Sequence, residues 1–143
     1  MPEPGNDDPQ VTGGCLCGRV RYVARGVPRF AVNCHCRICQ KVTGSGYTPV
    51  AAFAERDVAV TGEIRYFERR GDSGGKVWEG FCAECGARLT GKAQTMAGLL
   101  LIQAGSYDNP NLFQPAMDIF TASAPHWDAM DPALPKYPGM PQL

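Results

Sequence analysis

The chain has 143 residues, of which 44% are hydrophobic and 20% charged, a composition typical of one ordinary globular domain. Fourteen basic side chains balance fourteen acidic ones, so the formal net charge is zero, which disfavours nucleic-acid binding because such proteins usually carry a basic excess. Apolar runs such as 99–102 are too short to cross a bilayer, and the acidic, proline-bearing start is unlike a signal peptide.

Residues 1–11 are predicted to be a flexible tail, and residues 12–143 a single domain. Alternating and β-branched stretches predict strands in chain order at 19–24, 30–32, 47–53, 58–62, 63–70, 76–81, 87–92, 99–105 and 118–123. The strands 58–62 and 63–70 are expected to pair through a turn, and the glycines of 71–75 predict a loop. Helical periodicity is limited to 37–42. The fold class is therefore mainly β, a small antiparallel domain with cysteines at strand ends.

Seven cysteines stand in three clusters: Cys15 and Cys17; Cys34, Cys36 and Cys39; Cys82 and Cys85. An odd number cannot be used up by disulfides alone. We expect a cytoplasmic protein, in which thiols stay reduced and clustered cysteines more often indicate metal binding or catalysis than disulfides.

Two clusters, "CLCG" and "CAECG", end with glycine directly after the last cysteine. A chain that turns tightly around a metal often needs a positive φ at that position, and Gly18 and Gly86 would supply it at low cost. The sequence therefore predicts one closed, structural zinc site with four thiolates: Cys15, Cys17, Cys82 and Cys85.

The central stretch "VNCHCRICQ" carries the remaining three cysteines, Cys34, Cys36 and Cys39, and no glycine follows the last of them. Three protein ligands with one open position is the usual arrangement of a catalytic zinc. His35 could close the site as a fourth ligand. In an extended Cys-His-Cys segment, however, alternate side chains point in opposite directions, which favours a His35 that faces away.

Two other uses of these three thiols remain open. An iron–sulfur cluster would normally need a fourth cysteine, which would have to come from the other clusters. A redox dithiol formed by Cys36 and Cys39 lacks the strand–helix context expected for that chemistry.

The chain resembles the glutathione-dependent formaldehyde-activating enzyme family, also called centromere protein V-like. The resemblance rests on "GGCLCGRVRY", "NCHCRICQKVTGSG", "FCAECGARL", "AGSYDNP" and "IFTASAPHWD", which occur in that order with all seven cysteines in place.

This resemblance implies a small β-sandwich-like or tent-like fold with two Zn²⁺ ions per chain. It implies a structural zinc on the four flanking cysteines and a catalytic zinc on Cys34, Cys36 and Cys39. The implied activity is a carbon–sulfur lyase reaction that forms or cleaves S-hydroxymethylglutathione, with a small thiol such as glutathione as the partner. The alternative is a non-catalytic zinc-binding β module for protein interaction.

Several other residues admit a functional or a structural interpretation. Arg37, Lys41 and Arg19 could bind the carboxylates of glutathione, although exposed charges usually form a solvated face. Trp127 and His126 could border the pocket, although a packed aromatic beside a surface histidine is the commoner case. The loop "TGSG" is predicted to be a turn.

Overall fold

The computed structural model describes residues 9–142. Ten strands form the framework: β1 (Gln10–Gly14), β2 (Arg21–Arg25), β3 (Phe30–Cys34), β4 (Thr48–Ala54), β5 (Val58–Thr61), β6 (Ile64–Arg70), β7 (Lys76–Cys82), β8 (Arg88–Ala93), β9 (Leu99–Gln103) and β10 (Met117–Ile119). One α-helix, α1 (Arg37–Thr43), follows β3. Short 3₁₀ turns span Glu55–Asp57, Gln94–Met96, Ala104–Ser106, Pro110–Leu112 and Thr121–Ser123. In residues 9–142, no helix has the length and apolar character needed to cross a membrane.

The strands form two sheets, so the predicted mainly β class is confirmed. One sheet has the order β1-β2-β5, and the other has the order β10-β3-β4-β9-β8-β7-β6. Neighbouring strands are antiparallel, except that β10 runs parallel to β3. This parallel pair sets Ile119 opposite Cys34 and so brings the C-terminal part of the chain beside the central cysteines.

The predicted pairing of 58–62 with 63–70 is wrong, because the two strands belong to different sheets. β5 pairs with β2, whereas β6 pairs with β7 across the glycine-rich loop 71–75. Between them Gly62 has a φ of 93° and lies against the backbone of Arg19, where a Cβ would not fit. The glycine thus carries the chain from one sheet to the other instead of closing a hairpin.

The predicted tail, 1–11, lies mostly outside the described residues. Its last two residues, Gln10 and Val11, belong to β1, where they pair with Arg25 and Ala24 of β2.

Three apolar clusters form the core of residues 9–142. The largest includes Tyr22 of the smaller sheet and Phe53 and Ile102 of the larger one, all at most 2% exposed. Complete burial of such a side chain stabilises the fold by about 1.5–3 kcal/mol. A second cluster surrounds Val20, Cys82 and Leu89, and a third surrounds Val32, Val50 and Ile119. The second and third clusters include cysteines, so the core reaches both groups of thiols.

A substitution of Gly13 in β1 would test this packing. A Cβ at this position would overlap the Tyr22 hydroxyl, which hydrogen-bonds Ser106 Oγ at 2.6 Å, and the Ser106 backbone oxygen. We expect Gly13→Ala to lower the free energy of unfolding by about 1–3 kcal/mol, the usual cost of overpacking. Urea or thermal denaturation would measure this loss. Gly105→Ala is the matched control, since nothing lies within 4 Å of its Cβ position; equal losses in both variants would contradict the prediction.

Candidate metal centres

The four cysteines that flank the central cluster in sequence converge in space. The sulfur atoms of Cys15, Cys17, Cys82 and Cys85 all lie within 4.8 Å of one another; we call this set the four-cysteine group. The Sγ–Sγ distance is 3.5 Å between Cys15 and Cys17 and 3.8 Å between Cys17 and Cys82. A tetrahedral zinc with Zn–S bonds of ~2.3 Å separates its sulfurs by ~3.8 Å. The geometry and the all-thiol donor set therefore fit a zinc ion.

Two similar turns present these sulfurs. Gly18 and Gly86 have φ values of 82° and 76°, the left-handed conformation that the sequence predicts. Their amides donate to the carbonyl oxygens of Cys15 and Cys82 at 3.2 and 3.0 Å, which closes each turn. Both turns thus share a closing hydrogen bond and a left-handed glycine, so they resemble each other in structure as well as in sequence.

Backbone amides also point at the sulfurs. The amide of Val20 donates to Cys15 Sγ at 3.3 Å, and the amide of Cys85 donates to Cys82 Sγ at 3.4 Å. Burial acts to raise the pKa of Cys15, but the Val20 amide and the neighbouring thiols lower it to about 6. This pKa favours the thiolate, which is the form that binds metals.

The remaining three cysteines form a second set, which we call the three-cysteine group. Cys34 ends β3, Cys36 is the N-cap of α1, and Cys39 lies in the first turn of that helix. Their sulfurs lie within 4.8 Å of one another, with 2.9 Å between Cys36 and Cys39. Within residues 9–142, no histidine or carboxylate joins them as a fourth ligand. The donor set fits a metal ion with one position open to a further ligand.

The helix start concentrates negative charge on one sulfur of this group. Hydrogen bonds from the Cys34 and Cys39 thiols and from the amides of Cys39 and Ile38 lower the pKa of Cys36 to about 2, although burial opposes them. The hydrogen bond with Cys36 is the main cause that raises the pKa of Cys34 to about 12. Without a cation, the group thus favours one thiolate that is stabilised by its neighbours.

His35 does not belong to either group. Its side chain is only 1% exposed. Neither ring nitrogen joins the sulfurs of Cys34, Cys36 and Cys39, which agrees with the predicted alternation. Nε2 lies 2.8 Å from Asp118 Oδ1, and Nδ1 hydrogen-bonds Asp128 Oδ2. Both ring nitrogens are therefore already occupied by carboxylates.

The chain beyond β9 holds the loop of the three-cysteine group in place. The His35 amide donates to Ile119 O at 2.9 Å. The buried Gln40 side chain donates to His35 O at 2.9 Å and to Ser123 O at 3.0 Å. Two segments that are distant in sequence, 35–40 and 119–123, thus meet beside the cysteines.

Sequence reasoning missed Asp118, Asp128 and Gln40. One feature of the sequence indicated Asp118, namely that it is a charged residue within an apolar strand. In the structure its side chain is buried. Asp128 and Gln40 stand within motifs of the family resemblance, but no local pattern indicated their contacts, because their partners lie 93 and 83 residues away along the chain.

Arg88 in β8 is a further, partly buried charged residue. Its guanidinium donates to Thr90 O at 2.9 Å and lies 3.5 Å from Glu79. Burial lowers the pKa of Arg88, while the negative charge of Glu79 opposes that effect. These contacts of Arg88 therefore lie within β7 and β8.

The other predicted residues are less closely tied to the site. Arg37 hydrogen-bonds the Gln40 side chain, so it is already engaged within α1. Arg19 lies 3.5 Å from Glu84, beside the four-cysteine group instead. Trp127 is 64% exposed, so it is not a packed core aromatic. Its ring lies over Gly46, where a Cβ would come within 3.0 Å of it.

These features define a small, mainly β protein with two cysteine groups suited to metal ions. The chain belongs to the glutathione-dependent formaldehyde-activating enzyme family, whose model matches residues 10–123. None of the curated proteins compared with the chain matches it.

Among solved structures, a similar chain is a Rhodobacter sphaeroides protein determined by the Northeast Structural Genomics effort. It is 20% identical, and the match covers 73% of this chain and 96% of that one, with a TM-score of 0.52. At this level of identity the likeness concerns the fold alone.

Proposed function

We propose that this protein is a zinc-dependent carbon–sulfur lyase that forms or cleaves adducts between a small thiol and an aldehyde, such as S-hydroxymethylglutathione. Family membership supports glutathione and formaldehyde chemistry. The observation that carries the proposal is the three-cysteine group, which offers three thiol ligands and, among the described residues, no fourth. A protein that needs metal only for stability has no use for an open position.

The two cysteine groups would then have different roles, one structural and one catalytic. Cys15, Cys17, Cys82 and Cys85 would hold a structural Zn²⁺, because four thiolates leave no open position. Cys34, Cys36 and Cys39 would hold the second Zn²⁺ and act as ligands, not as nucleophiles. A zinc ion there would supply a positive charge that lowers the pKa of a substrate thiol and favours its thiolate form.

In the direction of adduct formation, the substrate sulfur forms a bond to the aldehyde carbon, and the thiol proton ends on the aldehyde oxygen. Cleavage is the reverse. The chain contributes to this step by orientation: β3, α1 and β10 fix the three sulfurs. The side chains of Val32, Val50 and Ile119 pack beside Cys34 and exclude water from that side.

The same assignment implies a small-molecule thiol as the partner and a cytoplasmic location, where glutathione is abundant and thiols stay reduced. The zero net charge argues against nucleic acid as the partner.

The thermal stability of a Cys82 variant tests whether the four-cysteine group holds a structural zinc. Cys82 is 1% exposed and lies in the cluster of Val20 and Leu89. Cys82→Ser would remove much of a metal-binding term of ~10–16 kcal/mol, which exceeds the stability of many domains, ~5–15 kcal/mol. We therefore expect Cys82→Ser to fold poorly or melt far below the wild type. Cys36→Ser should be milder, since its site joins only β3 to α1. Thermal melts would measure both; equal melting temperatures for wild type and Cys82→Ser would exclude the assignment.

Cobalt spectroscopy tests the open position. In protein loaded with Co²⁺ in place of zinc, added glutathione should shift the visible spectrum as a new sulfur reaches the metal. Cys36→Ser should abolish this shift while it preserves the bands of the four-cysteine group. The rate of adduct formation should fall in parallel, because a free thiol is mostly protonated at pH 7. An unchanged spectrum through a full glutathione titration would favour the non-catalytic binding module instead.

A further inference from the structure

The hydrogen bonds of His35 link the three-cysteine group to the C-terminal part of the chain. His35 lies between two proposed ligands, Cys34 and Cys36, and its side chain is 1% exposed. The side chains of the two aspartates that contact it, Asp118 and Asp128, are 1% and 3% exposed. Buried polar and charged groups are costly unless they are paired, so this set depends on its mutual contacts.

Every polar group of His35 has a partner. Asp128 and Asp118 take the two ring nitrogens, Ile119 accepts from the backbone amide, and Gln40 donates to the backbone oxygen. The ring also contacts Tyr47, with 5.1 Å between ring centroids. His35 therefore has little freedom to rotate or shift.

The aspartates are anchored separately. Asp118 lies in β10, opposite Asn33 of β3, and its second oxygen lies 3.2 Å from Lys136 Nζ. Asp128 follows the Thr121–Ser123 turn and lies beyond residues 10–123, the part of the chain that the family model matches. The contact of Asp128 with His35 therefore ties a segment outside the sheets to the three-cysteine group.

We propose that Asp118 and Asp128 are positioning residues that act through His35 to fix the spacing of the Cys34 and Cys36 sulfurs. A shift of His35 moves both neighbours, because each is joined to it by one peptide bond. The C-terminal segment 118–128 is then part of the metal centre although it supplies no ligand. The inference rests on the proposed metal at the three-cysteine group.

Asp128 is the better residue to vary, because it lies outside the sheets and its loss leaves the β10–β3 pairing intact. Asp128→Ala removes the acceptor for Nδ1. Asp128→Asn keeps an amide oxygen in the same place, so it should restore the contact. Asp131→Ala is the matched control: it removes a carboxylate from the same segment, where that group accepts, among residues 9–142, only from the Ala133 amide, at 2.9 Å.

The readout is Co²⁺ bound to the protein without substrate. We expect Asp128→Ala to weaken cobalt binding at the three-cysteine group by about 10–100-fold, the usual effect of losing a partner outside the ligands themselves. The bands of the four-cysteine group should not change. Asp128→Asn should recover most of the affinity, and Asp131→Ala should match the wild type. With glutathione and formaldehyde as substrates, kcat should fall in Asp128→Ala while KM changes little, since no substrate contact is lost.

Alkylation of the metal-free protein gives a second test. The rates at Cys34 and Cys36, followed by mass spectrometry, should change in Asp128→Ala but not in Asp128→Asn or Asp131→Ala. Unchanged cobalt affinity and unchanged alkylation in Asp128→Ala would overturn the inference. Equal losses at both cysteine groups, or the same loss in Asp131→Ala, would also overturn it by indicating general destabilisation. If the wild type bound no cobalt at the three-cysteine group, the proposed function would fail, while alkylation would still decide whether Asp128 positions the loop.

Discussion

The crowding of sulfur atoms at two points is the constraint on which the rest of the structure depends. Four thiols within 4.8 Å cannot all ionise without a cation, since each thiolate disfavours the next. The difference between the pKa values of Cys15 and Cys17 in the four-cysteine group reflects this repulsion. The pKa of Cys15 falls to about 6, whereas that of Cys17 rises to about 11, because burial and the neighbouring thiols together outweigh the lowering effect of the Arg19 amide. A metal ion removes the conflict and allows every sulfur to act as a ligand.

The position of the four-cysteine group gives this constraint a structural consequence. Cys15 follows β1 in the smaller sheet, and Cys82 ends β7 in the larger one. A metal held by both would therefore join the two sheets. Cys17 and Cys82, whose sulfurs lie 3.8 Å apart, are separated by 65 residues in sequence. The buried side chains of Val20 and Leu89 support the same junction from inside.

The three-cysteine group is supported in a different way. Its sulfurs come from one short segment, so nothing in their spacing ties them to the rest of the protein. The tie is made by His35 and Gln40, which hydrogen-bond Asp118 of β10 and Ser123 of the segment after it. Apolar packing around Val32 and Ile119 and buried hydrogen bonds around His35 thus both support the same loop. A rigid loop suits a site in which one metal position must stay open for a substrate.

The sequence by itself determined the elements with local causes. Alternating residues predicted most strands, the glycines after Cys17 and Cys85 predicted left-handed turns, and the division of seven cysteines into four and three predicted the two groups. The tertiary structure alone decided which strands pair. β5 and β6 are adjacent in sequence but belong to different sheets, because Gly62 passes against the backbone of Arg19 and turns the chain away. The contacts of His35 with Asp118 and Asp128 were equally hidden, because they join residues 83 and 93 positions apart. Local pattern reflects backbone preferences, whereas such contacts depend on how the sheets pack.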